Sequence, residues 1–164
     1  MIVAAVYGAF ELFYALRNRA MRLLAQRLSF GYVGPPIQKW RWHVTGPIVQ
    51  RPVPRWVSNL TLSGLSNPNL SKQGITRIWN VIEGTKDGVP ILIFDVLLGE
   101  HRNSHMCTLI ACQTEQNPFQ DVAFMDRVFQ GHGWTVLHGP WFLWLSKTMR
   151  VSRIEKHIRN LRRR

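Results

Sequence analysis

The chain has 164 residues, a mass of 19.0 kDa, a formal net charge of +12 and 46% hydrophobic residues. This apolar content excludes a disordered basic tail, and two cysteines are too few for a disulfide-stapled secreted fold. The length suits one domain, or one small domain with an anchor.

The positive charge lies at the two ends of the chain. Residues 1–74 carry a net charge of +8, residues 75–145 carry −3 and residues 146–164 carry +7. A strongly basic protein favours an acidic partner, either nucleic acid or an anionic membrane. Because a nucleic-acid-binding domain usually carries its positive charge on the folded surface itself, this distribution favours the membrane.

The N-terminal segment predicts a membrane anchor. Residues Ile2 to Leu16 are apolar apart from Glu11, and an arginine-rich segment follows at once. As a helix, this run spans about 22 Å against roughly 30 Å of hydrocarbon, so snorkelling arginines are expected to extend a transmembrane helix. The positive-inside rule then places the N-terminus outside and the body of the protein in the cytoplasm. The alternative is a helix buried in the core of the domain.

The helical pattern continues to residue 30 as a basic amphipathic helix. The residues that share one side at helical spacing are Ala20, Met21, Leu24 and Leu28, with polar residues opposite, and Gly31 is the expected stop. Such a helix is expected either at an anionic leaflet or as a solvated cap packed on the domain.

Residues 31–75 predict an irregular connection, because they hold six of the nine prolines. Within it, Trp40 and Trp42 alternate with basic residues, which we interpret as a short strand. Interfacial anchoring and base stacking on single-stranded nucleic acid are the alternatives. The residues expected to contact the anionic membrane surface are Arg17, Arg19, Arg22, Arg27, Trp40, Arg41 and Trp42.

The rest of the chain predicts antiparallel strands. Residues 76–83, 89–98 and 104–113 form a three-stranded meander, whose middle strand is apolar on both faces and is therefore expected at the centre. Residues 118–130 fit either a helix or a strand, and residues 134–145 fit a hairpin.

The chain closes with an amphipathic helix from about Val151. Its apolar stripe is expected to pack on the sheet, and its basic face comprises Arg150, Arg153, Lys156, Arg159 and Arg163. The predicted fold class is α+β: an N-terminal apolar helix and a curved antiparallel sheet, with a pleckstrin-like split barrel as the specific shape, closed by the C-terminal helix. The predicted units are 1–30, the anchor and basic helix; 31–75, the connection; and 76–164, the β domain.

Candidate chemical groups define no catalytic motif in the sequence. His105 and Cys107 share a strand face but Cys112 points the opposite way, so no metal site and two buried thiols are expected. Asp95 interrupts an apolar strand and, if buried, needs a partner such as an arginine or backbone amides. We therefore expect a structural role for Asp95, no cofactor and no enzymatic activity.

Three short motifs follow one another along the chain. Leu28-Ser29-Phe30-Gly31-Tyr32 ends the arginine-rich helix, Asn80-Val81-Ile82-Glu83-Gly84 begins a hairpin, and Ile93-Phe94-Asp95 follows Gly88. This pattern resembles a group of uncharacterised bacterial membrane-anchored proteins, whose domain carries an N-V-x-x-G and F-D pattern across a hairpin. The resemblance implies a membrane tether and a cytoplasmic β-rich domain, without an established activity.

The sequence as a whole predicts a non-enzymatic, membrane-associated binding or scaffolding module on the cytoplasmic face. Its expected partners are an anionic membrane surface and an unidentified protein. The alternative is a soluble nucleic-acid-binding protein that uses the basic end segments, Lys39 to His43 and Arg162 to Arg164.

Overall fold

A computed structural model of the chain describes residues 2–33, 75–98, 105–114, 116–120, 122, 127–131, 133–139 and 148–161. The described residues form two helices and six strands, which confirms the α+β class. The helices are α1 (Ile2–Leu28) and α2 (Val151–Arg159). The strands are β1 (Gly31–Val33), β2 (Ile75–Lys86), β3 (Val89–Leu98), β4 (His105–Cys112), β5 (Arg127–Gly131) and β6 (Trp134–His138).

The strands form one open antiparallel sheet in the order β1-β2-β3-β4-β6-β5. The predicted meander of β2, β3 and β4 is confirmed. The β2–β3 connection is a tight turn at Asp87 and Gly88, and both residues have positive φ angles, of 52° and 81°. The pleckstrin-like barrel is not confirmed by this open sheet and stays a prediction.

Both helices pack on the same face of the sheet. Met21 and Leu24 of α1 and Ile154 and Ile158 of α2 join one buried apolar cluster with Ile93 of β3. In both helices the buried residues recur every three or four positions, so they lie on one side of the helix. The two predicted amphipathic stripes are therefore confirmed.

The opposite face of the sheet is also apolar and buried. Phe94 and Val96 of β3 form a second cluster there with Leu109 of β4 and Val136 of β6. Since neighbouring residues of a strand point to opposite faces, β3 contributes to both clusters. This explains why the middle strand of the meander is apolar on both faces.

Helix α1 ends at Leu28, two residues before the end at Phe30 that a stop at Gly31 predicts. Ser29 has a φ of 57°, its N–H donates to the carbonyl of Gln26, and the N–H of Phe30 donates to the carbonyl of Ala25 at 2.9 Å. This is the Schellman arrangement, with a serine in the left-handed position that glycine usually occupies. The chain therefore passes directly from α1 into β1, whose first residue is Gly31.

The helix considered for residues 118–130 is wrong. Among the described residues of this region, 116–120 are irregular and 127–131 form β5, which pairs with β6. The side chain of Asn117 accepts a hydrogen bond from the N–H of Phe119 at 3.0 Å, so it closes a local turn and caps no helix. Residues 141–145, expected as the second strand of a hairpin with 134–138, lie outside the described residues.

Gly84 gives a direct test of this packing. A Cβ atom at this position would lie 2.3 Å from ring atoms of Phe30, which packs between the end of α1 and β2. We expect Gly84→Ala to lower the free energy of unfolding by about 1–3 kcal/mol in urea, because the ring must move. The matched control is Thr85→Ala at the neighbouring exposed position, with a change within about 0.5 kcal/mol. Equal effects at the two positions would contradict the packing.

Candidate functional site

A buried ion pair joins α1 to the sheet. Nε of Arg17 donates to Oδ2 of Asp95 at 3.0 Å, and Nη2 donates to Oδ1 at 2.9 Å. Arg17 is 8% exposed and Asp95 is fully buried. A two-point contact of this kind fixes orientation as well as distance. It therefore holds α1 at one rotation and one position along its axis.

Thr108 of β4 and Met149, two residues before α2, complete this contact. Oγ1 of Thr108 donates to Oδ1 of Asp95 at 2.7 Å and accepts from Nη2 of Arg17 at 3.0 Å. The same oxygen accepts from the N–H of Met149 at 2.9 Å, while Nη1 of Arg17 donates to the carbonyl of Met149 at 2.7 Å. These hydrogen bonds thus link α1, β3, β4 and the segment that leads into α2.

Asn80 extends the network to the sheet edge. Its Nδ2 donates to Oδ2 of Asp95 at 2.9 Å, and its Oδ1 accepts from the hydroxyl of Tyr32 in β1 at 2.7 Å. Asn80 lies in an irregularity of β2 between Trp79 and Ile82 and has a φ of 54°, a conformation that asparagine tolerates. Each oxygen of Asp95 accordingly accepts two hydrogen bonds.

Tyr32 is placed to donate to this network. Burial is the main cause that raises the pKa of Tyr32, the charge of Asp95 raises it further, and the nearby Arg22 lowers it. A tyrosine hydroxyl at its usual pKa is already protonated at neutral pH, and the raised pKa of Tyr32 extends this protonated range to higher pH. The hydroxyl of Tyr32 can therefore donate to Asn80 across the physiological range.

The structure places Arg17, expected at a membrane surface, in the interior. An arginine partner for Asp95 was expected and is confirmed, but the sequence prediction did not identify Arg17 as that partner. One signal could have found it: Arg17 lies four residues before Met21, so it continues the apolar stripe of α1. A basic residue on a buried stripe requires an acidic partner, and Asp95 is the one acidic residue of the described strands that is buried.

The other arginines predicted on α1 face outward. Arg19, Arg22 and Arg27 are exposed. The guanidinium of Arg22 lies 5.7 Å from the ring centroid of Tyr32, and Arg27 Nη2 lies 3.0 Å from a carboxylate oxygen of Glu155 in α2. The side of α1 that faces away from the sheet is therefore basic.

The basic residues of α2 lie on the same layer. Arg150, Lys156 and Arg159 are exposed and Arg153 is half-buried, while Ile154 is fully buried. Lys86 of β2 donates to the last carbonyls of α2, at Ile158 and Arg159, as expected for a cation at a helix C-terminus. The remaining predicted contact residues, which lie outside the described residues, are Trp40, Arg41, Trp42 and Arg163.

The predicted transmembrane helix is wrong. In the described part of the chain, no helix combines the length and the apolar character that crossing a bilayer requires. Extending the apolar run of α1 to that length takes in Arg17 and Arg19 in addition to Glu11. The prediction relied on snorkelling arginines, but Arg17 is engaged with Asp95. The orientation with the N-terminus outside rested on that span and loses its basis.

The first half of α1 nevertheless carries exposed apolar side chains. Every residue from 12 to 16 is exposed, which is more than one full helical turn. Leu12 is 60% and Leu16 is 56% exposed, and the rings of Tyr14 and Trp79 meet edge-on at 6.2 Å. The described sheet thus packs against α1 from Arg17 onward, while in the earlier turn Trp79 of β2 meets Tyr14 and Leu12 and Leu16 stay more than half exposed.

The two cysteines are buried thiols on opposite faces of β4. Cys107 belongs to the cluster on the second face and Cys112 to the cluster under the helices. Burial raises the pKa of both thiols, to about 12 for Cys112 and further for Cys107. Both are therefore protonated at neutral pH, which makes them poor nucleophiles. No set of three His, Cys, Asp or Glu side chains able to hold a metal ion occurs among the described residues.

Comparison with known proteins identifies no relative of this chain. No protein-family model, no curated protein and no solved structure matches it. The resemblance drawn from the short motifs therefore stays a prediction. Function has to be argued from the geometry of the chain itself.

The ion pair can be tested by a double-mutant cycle of Arg17→Met and Asp95→Leu. Each single variant leaves one buried charge uncompensated, so we expect a loss of about 3–5 kcal/mol in the free energy of unfolding. The double variant should lose clearly less than the sum, because neither charge remains. The control is Arg27→Met, which breaks an ion pair whose arginine side chain is 48% exposed and should cost under about 1 kcal/mol. Single-variant losses as small as that of the control would contradict the network.

Proposed function

We propose that this protein is a non-enzymatic binding module that attaches to a membrane surface through α1. In this proposal α1 lies at the interface between headgroups and acyl chains and does not cross the bilayer. The β domain stays at the surface, where it acts as a scaffold for a protein partner.

The observation that carries this proposal is the division of α1 at Arg17. From Arg17 to Leu28 the helix is packed on the sheet, whereas residues 12–16 are exposed. The sequence of residues 2–16 is apolar except for Glu11, and a helix that is apolar on all sides is normally covered by protein or lipid. At 1.5 Å per residue this half is about 22 Å long, which is shorter than the roughly 30 Å of hydrocarbon in a bilayer.

The anchored half supports this role in a specific way. Since Arg17 is bonded at both ends of its guanidinium, to Asp95 and to the carbonyl of Met149, the folded domain fixes the direction in which α1 leaves it. A helix with a fixed direction loses less conformational entropy when it binds a surface than a flexible tail does. Membrane attachment then holds the whole domain in one orientation.

The test is flotation of the purified protein with phospholipid vesicles, comparing the wild type with Leu12→Gln/Leu16→Gln. Glutamine keeps the length and the helix propensity of leucine but removes its apolar surface, so we expect membrane partitioning to fall at least tenfold. The matched control is Leu12→Met/Leu16→Met, which keeps the apolar surface and should bind like the wild type.

Two results would overturn the proposal. The first is a wild type that floats with no vesicle of any composition. The second is a defined dimer in solution that the glutamine pair dissolves while vesicle binding is absent, since α1 would then be covered by a second copy. The free energy of unfolding of the glutamine variant is expected within about 0.5 kcal/mol of the wild type, because both positions are exposed.

A further inference from the structure

The charges of the folded domain are separated between its two layers. The part of α1 after Arg17, together with α2 and Arg150 before it, holds seven basic residues and one acidic residue, which is a net charge of +6. Strands β2–β6 with the β2–β3 turn hold three basic and three acidic residues. The helical layer is therefore strongly positive and the sheet is neutral.

This positive charge faces away from the sheet. On α1 the exposed positions include Arg19, Arg22 and Leu23, at the spacing of one helix face. On α2 the exposed positions include Ser152, Lys156 and Arg159, again at the spacing of one face. Because both helices bury their opposite sides in the same apolar cluster, the two basic stripes point in the same direction.

The acidic residue of this layer, Glu155, forms ion pairs with an arginine of each helix. The carboxylate of Glu155 lies 3.0 Å from Arg27 and 2.6 Å from Arg159, and its side chain is 16% exposed. It neutralises part of the charge at that end of the layer. Arg19 and Lys156 lie on the exposed stripes of α1 and α2.

We infer that the outer side of the helical layer is a docking surface for anionic phospholipid. This inference rests on the proposed attachment through α1 and names its lipid class and its geometry. The domain lies with both helices towards the bilayer and the sheet away from it, with the basic stripes of α1 and α2 against lipid phosphates. An anionic leaflet attracts such a surface, since each basic residue near it strengthens binding on the order of fivefold.

Lipid is favoured over nucleic acid by the apolar part of the same surface. Leu23, which is 44% exposed, lies within the basic stripe of α1, and the exposed apolar residues 12–16 precede that stripe on the same helix. Nucleic acid offers phosphate to the arginines but no apolar medium for leucines. An anionic bilayer interface supplies both lipid phosphates and an apolar medium.

The experiment measures flotation with vesicles of phosphatidylcholine containing rising fractions of phosphatidylserine, at low and high salt. The variant is Arg19→Gln/Lys156→Gln, which removes one charge from each helix. The matched control, Gln113→Glu/Gln120→Glu, makes the same change in net charge at exposed positions outside the helical layer.

We expect the wild type to bind more strongly as the fraction of phosphatidylserine rises, and less strongly in high salt. On anionic vesicles the variant should bind about 30-fold more weakly and the control within a factor of about 3.

Each other outcome overturns a defined part of the account. Equal binding of the wild type and the variant to neutral and anionic vesicles overturns the anionic docking surface and leaves attachment through α1 standing. Absence of binding to every vesicle overturns both. If the wild type ignores anionic vesicles but binds a single-stranded oligonucleotide, and the variant loses that binding, the helical layer serves nucleic acid and the lipid inference is wrong. Equal losses in the variant and the control overturn a localised surface, because net charge alone would then explain binding.

Discussion

The contact between Arg17 and Asp95 is the constraint on which the arrangement of the helices depends. Removing a charge from water costs several kcal/mol, so a buried ion pair is tolerated only where its geometry is good and its remaining polar atoms are bonded. Here Asp95 accepts four hydrogen bonds, from Arg17 twice and from Thr108 and Asn80 once each. The ion pair can therefore form in only one position of α1. If the helix were shifted along its axis by one turn, Asp95 would be buried without Arg17 as its partner.

This constraint also divides α1 into two parts with different surroundings. After Arg17 the helix follows the sheet, and its apolar stripe is covered by the core. Before Arg17 the apolar residues continue, yet residues 12–16 are exposed. The ion pair stabilises the position of the helix, and Leu12 and Leu16 of the earlier turn are left more than half exposed. The proposed membrane attachment is based on this division, since one continuous helix would join the domain to the segment that docks.

The parts of the fold that local patterns determine were predictable. Alternation and turn residues predicted the strands of the meander, and helical spacing predicted the buried stripe of α2. Asp95 was expected to need a partner because a single acid in an apolar strand cannot remain unpaired.

The identity of that partner was not predictable from local patterns, since α1 and β3 are far apart in sequence. The apolar run before Arg17 indicated an anchor, and the same run hid the fact that Arg17 begins the packed stripe. Ser29, as the left-handed residue after α1, was missed because Gly31 was a better local candidate for the stop.

Hydrogen exchange of the amides of α1, with and without anionic vesicles, tests the division of this helix most directly. In water, the account predicts strong protection for residues 17–28, which are held by the core, and exchange orders of magnitude faster for residues 3–16. Addition of vesicles should protect residues 3–16 and leave the packed half unchanged. Protection of residues 3–16 equal to that of the packed half in the absence of vesicles would contradict the account.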